Sequence, residues 1–258
     1  MEYRILAVGD VVAESGLEFL EAHLRAVKKL HSVDFCIVNG ENASMTGLTP
    51  KQADRMLDAG ADVITLGNHA FQRREICPYL DDCRYILRPA NYAPQRPGRG
   101  FGVFPCRDRE LAVVNLIGRC GMDFSPDNPF TKLDAIRKEL GDTPLVVDIH
   151  AEATSEKLAM GYDLDGKAVA VFGTHTHVPT ADAQVLPRGT GFVTDLGMTG
   201  PRDSVLGILP AQSVALFRGE LTSRFEPAPG ACVMQAVLFT VDGTTNRCTA
   251  AERVDIGD

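Results

Sequence analysis

Short apolar runs recur along the chain, and five of them break off at a polar residue able to bind a metal. Residues 4–9 precede Asp10, 34–40 precede Glu41-Asn42, 61–67 precede Asn68-His69, 144–149 precede His150, and 168–174 precede His175-Thr176-His177. Each run has strand length. Between the first two, Leu17, Leu20, Leu24, Val27 and Leu30 fall near helical spacing, predicting an amphipathic helix from about Gly16 to Leu30. His23 and His31 lie on or beside it and belong to no cluster, so they read as surface or helix-end residues. A second helix starts at Thr49-Pro50, a cap residue followed by proline at the first helical position, and ends at Gly60. Strand, helix, strand, helix, strand predicts parallel strands joined by right-handed crossovers. In such sheets ligands gather outside the carboxyl ends of the strands, so five polar endings can converge on one place.

From 88 to 100 the chain is a Pro/Gly/Arg-rich loop, followed by strands at 102–106 and 111–116 with a hairpin break at Arg107-Asp108-Arg109-Glu110. Helices at 134–140 and 154–160 precede strands at 145–149 and 169–172. Beyond Val178 the pattern turns to short β runs at 184–186, 191–194, 234–240 and 249–254, with one helix within 206–218. Two stacked mixed sheets flanked by helices accommodate both halves. No linker, repeat or low-complexity tract interrupts the chain, so residues 1–258 read as a single domain. The apolar residues of 205–217 either cover an intersubunit surface, giving a homo-oligomer, or pack internally as helix faces do.

Hydrophobic residues make up 45% of the 258, enough for a substantial core. The formal charge of −8 argues against non-specific nucleic-acid binding, which needs a clustered basic surface. The seven cysteines (36, 77, 83, 106, 120, 232 and 248) are odd in number and form no CxxC pair, so reduced, mostly buried thiols are expected. Met1-Glu2-Tyr3-Arg4 enters a strand directly, without the pattern of a signal peptide, and no apolar run approaches the ~20 residues that span a bilayer. A soluble cytoplasmic protein with no membrane association is the expectation.

The polar endings supply two carboxylates (Asp10, Glu41), amides (Asn42, Asn68) and imidazoles (His150, His175, His177), with no thiolate. That mixture favours Mn, Fe or Zn and disfavours magnesium alone. In His175-Thr176-His177 the spacing puts both rings on one side of an extended segment, where they reach one metal or two neighbouring ones. Any one of these elements alone fits an ordinary turn or core residue. Together they take four of the chain's six histidines, so the structural explanation would need several coincidences at once.

These motifs resemble the calcineurin-like metallophosphoesterase superfamily. More closely, the stretches GDVV, NGENA, GLTP, ITLGNH, LRPANY, HAEATSEK, GTHTHVPTAD and TDLGMTGP resemble the YmdB-like bacterial phosphodiesterases, from about residue 4 to residue 207. The resemblance implies an α/β fold, a four-layer αββα sandwich of two mixed β-sheets flanked by helices. It also implies two divalent or mixed-valence ions per chain on the strand-end loops. By that resemblance Asp10, Asn42 and His177 hold one ion, Asn68, His150 and His175 hold the other, and Glu41 bridges. The superfamily's usual histidine two residues after the first aspartate is Val12 here, and Asn42 takes its place as in the YmdB-like group. The chain also departs within Ala43-Ser44-Met45-Thr46-Gly47, where close relatives have a longer glycine-rich loop.

Two divalent ions supply roughly +4 against about −2 from the carboxylates and −1 from a bridging hydroxide, leaving a site near +1 that attracts a phosphodiester anion. Such a metal pair activates the shared water as nucleophile and stabilises attacking and leaving oxygens. His69 follows a ligand without being needed as one, so it is free to act as general acid, or it only hydrogen-bonds the phosphate or a carboxylate such as Glu152. Asp148 is either a supporting group or a plain strand residue. Arg88, Asn91 and the Thr199-Gly200-Pro201-Arg202 loop either face substrate or only shape the site. The expected activity is hydrolysis of small phosphodiesters, with cyclic nucleotides the class the resemblance implies. A phosphomonoesterase and a metal-retaining regulatory or scaffold protein are the alternatives. Neither GxGxxG nor GxxxxGK[ST] occurs, which disfavours a Rossmann or P-loop nucleotide site.

Overall fold

The computed structural model describes residues 2–122 and 125–257, so Met1 of the expected strand entry lies outside the described residues. In chain order, the first stretch runs β1 (Glu2–Val8), β2 (Asp10–Val11), α1 (Ala13–Leu30), β3 (Phe35–Asn39), α2 (Pro50–Ala59), β4 (Val63–Thr65), α3 (Ile76–Asp82) and β5 (Ile86–Leu87). The middle runs β6 (Phe101–Cys106), β7 (Arg109–Ile117), α4 (Pro129–Leu140), β8 (Leu145–His150), α5 (Thr154–Asp163), β9 (Ala170–Thr174), β10 (Gln184–Val185) and β11 (Gly191–Val193). The chain ends with β12 (Met198–Pro201), α6 (Pro210–Phe217), β13 (Cys232–Asp242) and β14 (Arg247–Gly257).

The strands form two mixed sheets. One has the order β2-β12-β13-β1-β3-β4-β5 with β14 paired to β13, and the other β10-β11-β9-β8-β7-β6. Within them β1, β3, β4 and β5 are mutually parallel, as are β7, β8, β9 and β11. The period of two along each strand explains the layering. From β1, Tyr3, Ile5 and Ala7 point into the layer between the sheets with Phe35, Ile37, Val113, Val146, Phe172 and Phe239. Leu6 and Val8 point the other way, onto Leu17, Leu20 and Leu24 of α1 and Met56 of α2. The second sheet sends Val114, Leu116, Val147 and Ile149 outward to Leu133 and Ile136 of α4 and Met160 of α5. Both sheets are thus buried on two faces, which is why their strands read as continuous apolar runs. The result is the expected αββα sandwich.

Helix α2 begins as expected. Thr49 caps the Gln52 amide, the Gln52 side chain returns to the Thr49 amide, and Gly60 ends the helix in the left-handed region at φ 118°. His31 is the C-cap of α1, and His23 stacks on Phe19 with centroids 4.1 Å apart. One expectation needs correction, one element was unforeseen, and one open alternative is decided. Residues 199–201, read as part of a loop, lie in β12, which pairs with β13 and runs parallel to β2. Helix α3 was not expected, because Ile76-Cys77-Pro78 carries a proline and only seven residues follow the helical path. The apolar residues near α6 are not core: Val214, Leu216 and Phe217 are exposed, Phe217 at 85%.

Four of the seven cysteines are buried, Cys120 is exposed, and all are free thiols. Among the described residues no helix is long and apolar enough to cross a membrane.

Candidate metal centre

Gly9 is where β1 leaves the sheet. The β1 pairing runs along Ala236–Asp242 of β13, the Gly9 amide donates to the Gln235 carbonyl, and β12 takes over the β13 edge from Met234 onward. Asp10 is thereby turned out of line and completely buried. Its Oδ2 accepts from the His175 amide at 3.3 Å, while its Oδ1 is buried with no hydrogen-bond partner, 3.6 Å from His177 Nε2. Burial works against this carboxylate, but the His177 contact and the nearby His150 hold it well below the usual carboxylate range.

Glu41 and Asn42 follow β3, and Asn68 and His69 follow β4. The Glu41 carboxylate is spread between elements: Oε2 accepts from the His69 amide at 3.0 Å, and Oε1 lies 2.9 Å from His150 Nε2. Asn68 Oδ1 lies 2.9 Å from the same His150 nitrogen, and His175 Nδ1 lies 3.1 Å from it. One imidazole nitrogen thus faces a carboxylate oxygen, an amide oxygen and a second imidazole nitrogen. Ligand atoms of Glu41, His150 and His175 all lie within 4.8 Å of one another. Close-packed, buried lone pairs of this kind repel unless a cation or proton sits among them, so the donor set fits a metal of the Mn, Fe or Zn class.

The far nitrogen of each imidazole is tied down. His150 is the last residue of β8, and its Nδ1 lies 2.9 Å from Thr174 Oγ1, whose hydroxyl donates to Asp148 Oδ1 at 2.8 Å. Thr65 donates to the other Asp148 oxygen at 2.6 Å. Asp148 therefore supports His150 through Thr174. In this series of hydrogen bonds His150 Nδ1–H donates to the Thr174 hydroxyl oxygen, and Nε2 is turned toward the site. His175 Nε2 lies 3.2 Å from Glu152 Oε2, leaving Nδ1 for the site. Glu152 thus serves His175, not His69. His177 Nδ1 donates to the Leu206 carbonyl at 3.1 Å, so Nε2 faces Asn42 and Asp10.

Burial opposes a proton on His150, but Glu41, Asp10 and Asp148 outweigh it and push the group up to about 9. Burial and the adjoining His150 push His175 down to about 4. Asp148 is pushed up to about 7 by burial, against the pull of His150 and its two threonine donors.

His175 and His177 both have left-handed backbones, at φ 100° and 61°. Non-glycine residues held there cost of order 1–3 kcal/mol each and persist only where the surroundings enforce them. Thr176, between them, donates through both its amide and its hydroxyl to Asp195 Oδ2, at 3.2 and 2.8 Å. Lys157, a fully buried lysine of α5, donates to the same oxygen at 2.6 Å. This ion pair anchors the His175–His177 loop. Neither residue stood out in the sequence, because a lysine in an amphipathic helix reads as solvent-facing.

Gly67 is required by a close approach. A Cβ there would lie 2.1 Å from His150 Nε2, so no larger residue leaves the imidazole in place. His69 lines a small pocket of about 200 Å³ together with Glu41, Asn42, His175 and His177. The Asn68 amide lies 3.3 Å from His69 Nε2, and His69 Nδ1 has no partner among the described residues. Val12, Met45, Thr46, Leu206 and Ile208 complete the pocket wall. Asn91 is spent on structure: its amide donates to the carbonyls of Ile117 and Asp127, and its oxygen accepts from the Ile117 amide. Arg88 is buried and donates to the Pro89 carbonyl.

Residues 6–254 match the family described as YmdB-like protein. A Bacillus subtilis relative named 2',3'-cyclic-nucleotide 2'-phosphodiesterase is 42% identical, over 99% of this chain and 97% of its own. A solved structure of a hypothetical protein from Thermus thermophilus superposes with a TM-score of 0.92 at 38% identity, covering 99% of both chains. Another from Mycoplasma pneumoniae, described as a novel phosphatase, gives a TM-score of 0.93 at 33% identity, covering all of this chain and 94% of that one. A family match across nearly the whole length, with relatives above 30% identity, shows that this chain is a phosphoric ester hydrolase and belongs to the YmdB-like protein family.

Proposed function

We propose that the chain is a dinuclear metal-dependent phosphodiesterase acting on small phosphodiesters, with cyclic nucleotides as the substrate class. The observation that carries this reading is the meeting of Glu41, Asn68 and His175 on a single nitrogen of His150, beside the unpartnered Asp10 Oδ1. In this reading Asp10, Asn42 and His177 would hold one ion, Asn68, His150 and His175 would hold the other, and Glu41 would serve both. Asn42 stands where Val12 offers no donor, and its backbone bridges that of Val12. When bound, two ions of the Fe, Mn or Zn class supply Lewis acidity and an activated water. The remaining chemistry belongs to the chain. Hydrogen bonds from the His175 and His69 amides fix the two carboxylates, and the Asp148–Thr174 chain fixes the His150 tautomer. The Asn68 amide lies 3.3 Å from His69 Nε2 and His69 Nδ1 is buried without a partner, and in this reading the proton for the leaving alkoxide comes from this imidazole.

The activity for which the Bacillus relative is named supports 2',3'-cyclic nucleotides in particular. The last two strands complete the first sheet while the middle of the chain builds the second, which supports a single domain. The exposed apolar face of α6 supports a homo-oligomer.

The test is His69→Ala, assayed with manganese or ferrous iron on a diester and a monoester. Turnover of the diester is expected to fall by about 10²–10⁴-fold, the usual contribution of a general acid, with both metals retained by elemental analysis. Undiminished turnover would remove His69 from the mechanism. A wild type that cleaves only the monoester would replace the phosphodiesterase reading.

A further inference from the structure

A second and larger cleft, of about 580 Å³, opens beside the metal pocket, and Asn68 is in its wall. The two cavities meet at one dipeptide: Asn68 lines the larger and His69 the smaller. The cleft has an aromatic corner. Phe71 and Tyr92 are half-buried and pack edge to face, with centroids 5.6 Å apart and planes at 62°. The Arg96 guanidinium sits 5.3 Å from the Phe71 centroid. Tyr92 is fixed from its far end, where its hydroxyl donates to the Gly67 carbonyl at 3.2 Å. That anchor is the residue before Asn68, so the corner is built onto the same loop as the metal-facing amide. Gln72 and Asp127 add polar groups to the wall.

A ligand reaching from one cavity into the other would place an anionic end among the histidines and a flat, π-rich end against the aromatic corner. An aliphatic diester would leave both rings and the cation without a complementary surface. Aromatic rings with an arginine form the surface on which bases stack, whatever their sequence, because every base offers a π-face.

We propose that the Phe71–Tyr92–Arg96 cleft is the subsite for the nucleobase of a nucleoside cyclic phosphate whose phosphate lies at the pocket lined by His69, His175 and His177. This rests on the phosphodiesterase reading above and adds to it the group that selects the substrate. Phe71 and Tyr92 provide the aromatic surface, and Arg96, which lies over the Phe71 ring, supplies the cation.

The experiment compares 2',3'-cyclic AMP with ethylene phosphate, a five-membered cyclic diester without a base, on manganese-loaded wild type and variants. The ratio of kcat/KM for the nucleotide over ethylene phosphate is expected to fall about tenfold in Phe71→Ala, mainly through KM, and to be restored in Phe71→Tyr. Phe71→Leu keeps most of the volume without the π-face and gives the same reading should the alanine variant not fold. On chelated protein, saturation-transfer NMR with adenosine is expected to show transfer to the base protons in wild type and its loss in Phe71→Leu. An unchanged ratio with unchanged transfer overturns the subsite and leaves the phosphodiesterase standing. A wild type that cleaves neither diester overturns both.

Discussion

His150 and His175 lie side by side at the centre of the site, yet they are held by opposite means. His150 ends a central strand, inside the β-ladder, with its outer nitrogen passed through Thr174 to a buried carboxylate. His175 stands just beyond a strand in a strained left-handed conformation, with its outer nitrogen on Glu152, a residue 56% exposed at the side chain. The first is positioned by regular secondary structure, so little extra has to be specified around it. The second owes its place to the Asp195 clamp on its neighbour Thr176, and hence to Lys157.

The comparison breaks most severely on the His150 side. In Gly67→Ala the new methyl would occupy the position of the imidazole. Activity is expected to fall by more than the roughly 10–100-fold typical of losing a supporting partner, with about one metal per chain by elemental analysis. On the His175 side, Lys157→Met leaves Asp195 buried without its charge partner. It is expected to cost about 3–5 kcal/mol of stability in denaturant melts, a loss that activity assays at low temperature would report only in part.

Protons sharpen the contrast. His150, at about 9, lies above the ordinary imidazole value of 6.5, so in metal-free protein its stabilising charge is complete below pH 6.5 and lost as pH rises through about 9. His175, at about 4, is already neutral at neutral pH. Metal uptake at pH 7 is therefore expected to expel at least one proton, the one on His150, with a further contribution from His177, which Asp10 also holds above the ordinary imidazole value against burial, so that uptake strengthens as pH rises toward 9. Calorimetry in buffers of different ionisation enthalpy counts that proton; a count of zero would show that Glu41 and Asp10 do not hold one there. The smallest effect is expected from Glu152→Ala. An exposed partner is screened by water, so manganese affinity should fall about tenfold or less.

Much of this site was legible in the sequence. Asp10, Glu41, Asn68, His150 and His175 each stop an apolar run, and parallel strands bring such endings together whatever their separation in the chain. The supports were less legible. Residues 198–201 contain glycine and proline, the marks of a turn, yet β13 recruits them as a strand because β1 has vacated its edge. The Lys157–Asp195 pair joins residues 38 positions apart, and only burial distinguishes Lys157 from a solvated lysine. Phe71 and Tyr92 follow no period at all. Their meeting depends on the loop after β4 turning back under the segment that follows β5, which no local pattern specifies.

The edge exchange at Gly9 also sets a timetable. Asp10 is seated against Gly197 and β12, and β12 is held in turn by β13, whose last residue is Asp242. The earliest donor in the chain thus waits for nearly the latest strand. A chain not yet extended through β13 has no edge to hold β12 and hence no seat for Asp10, so any ion that needs Asp10 enters only after that strand has paired.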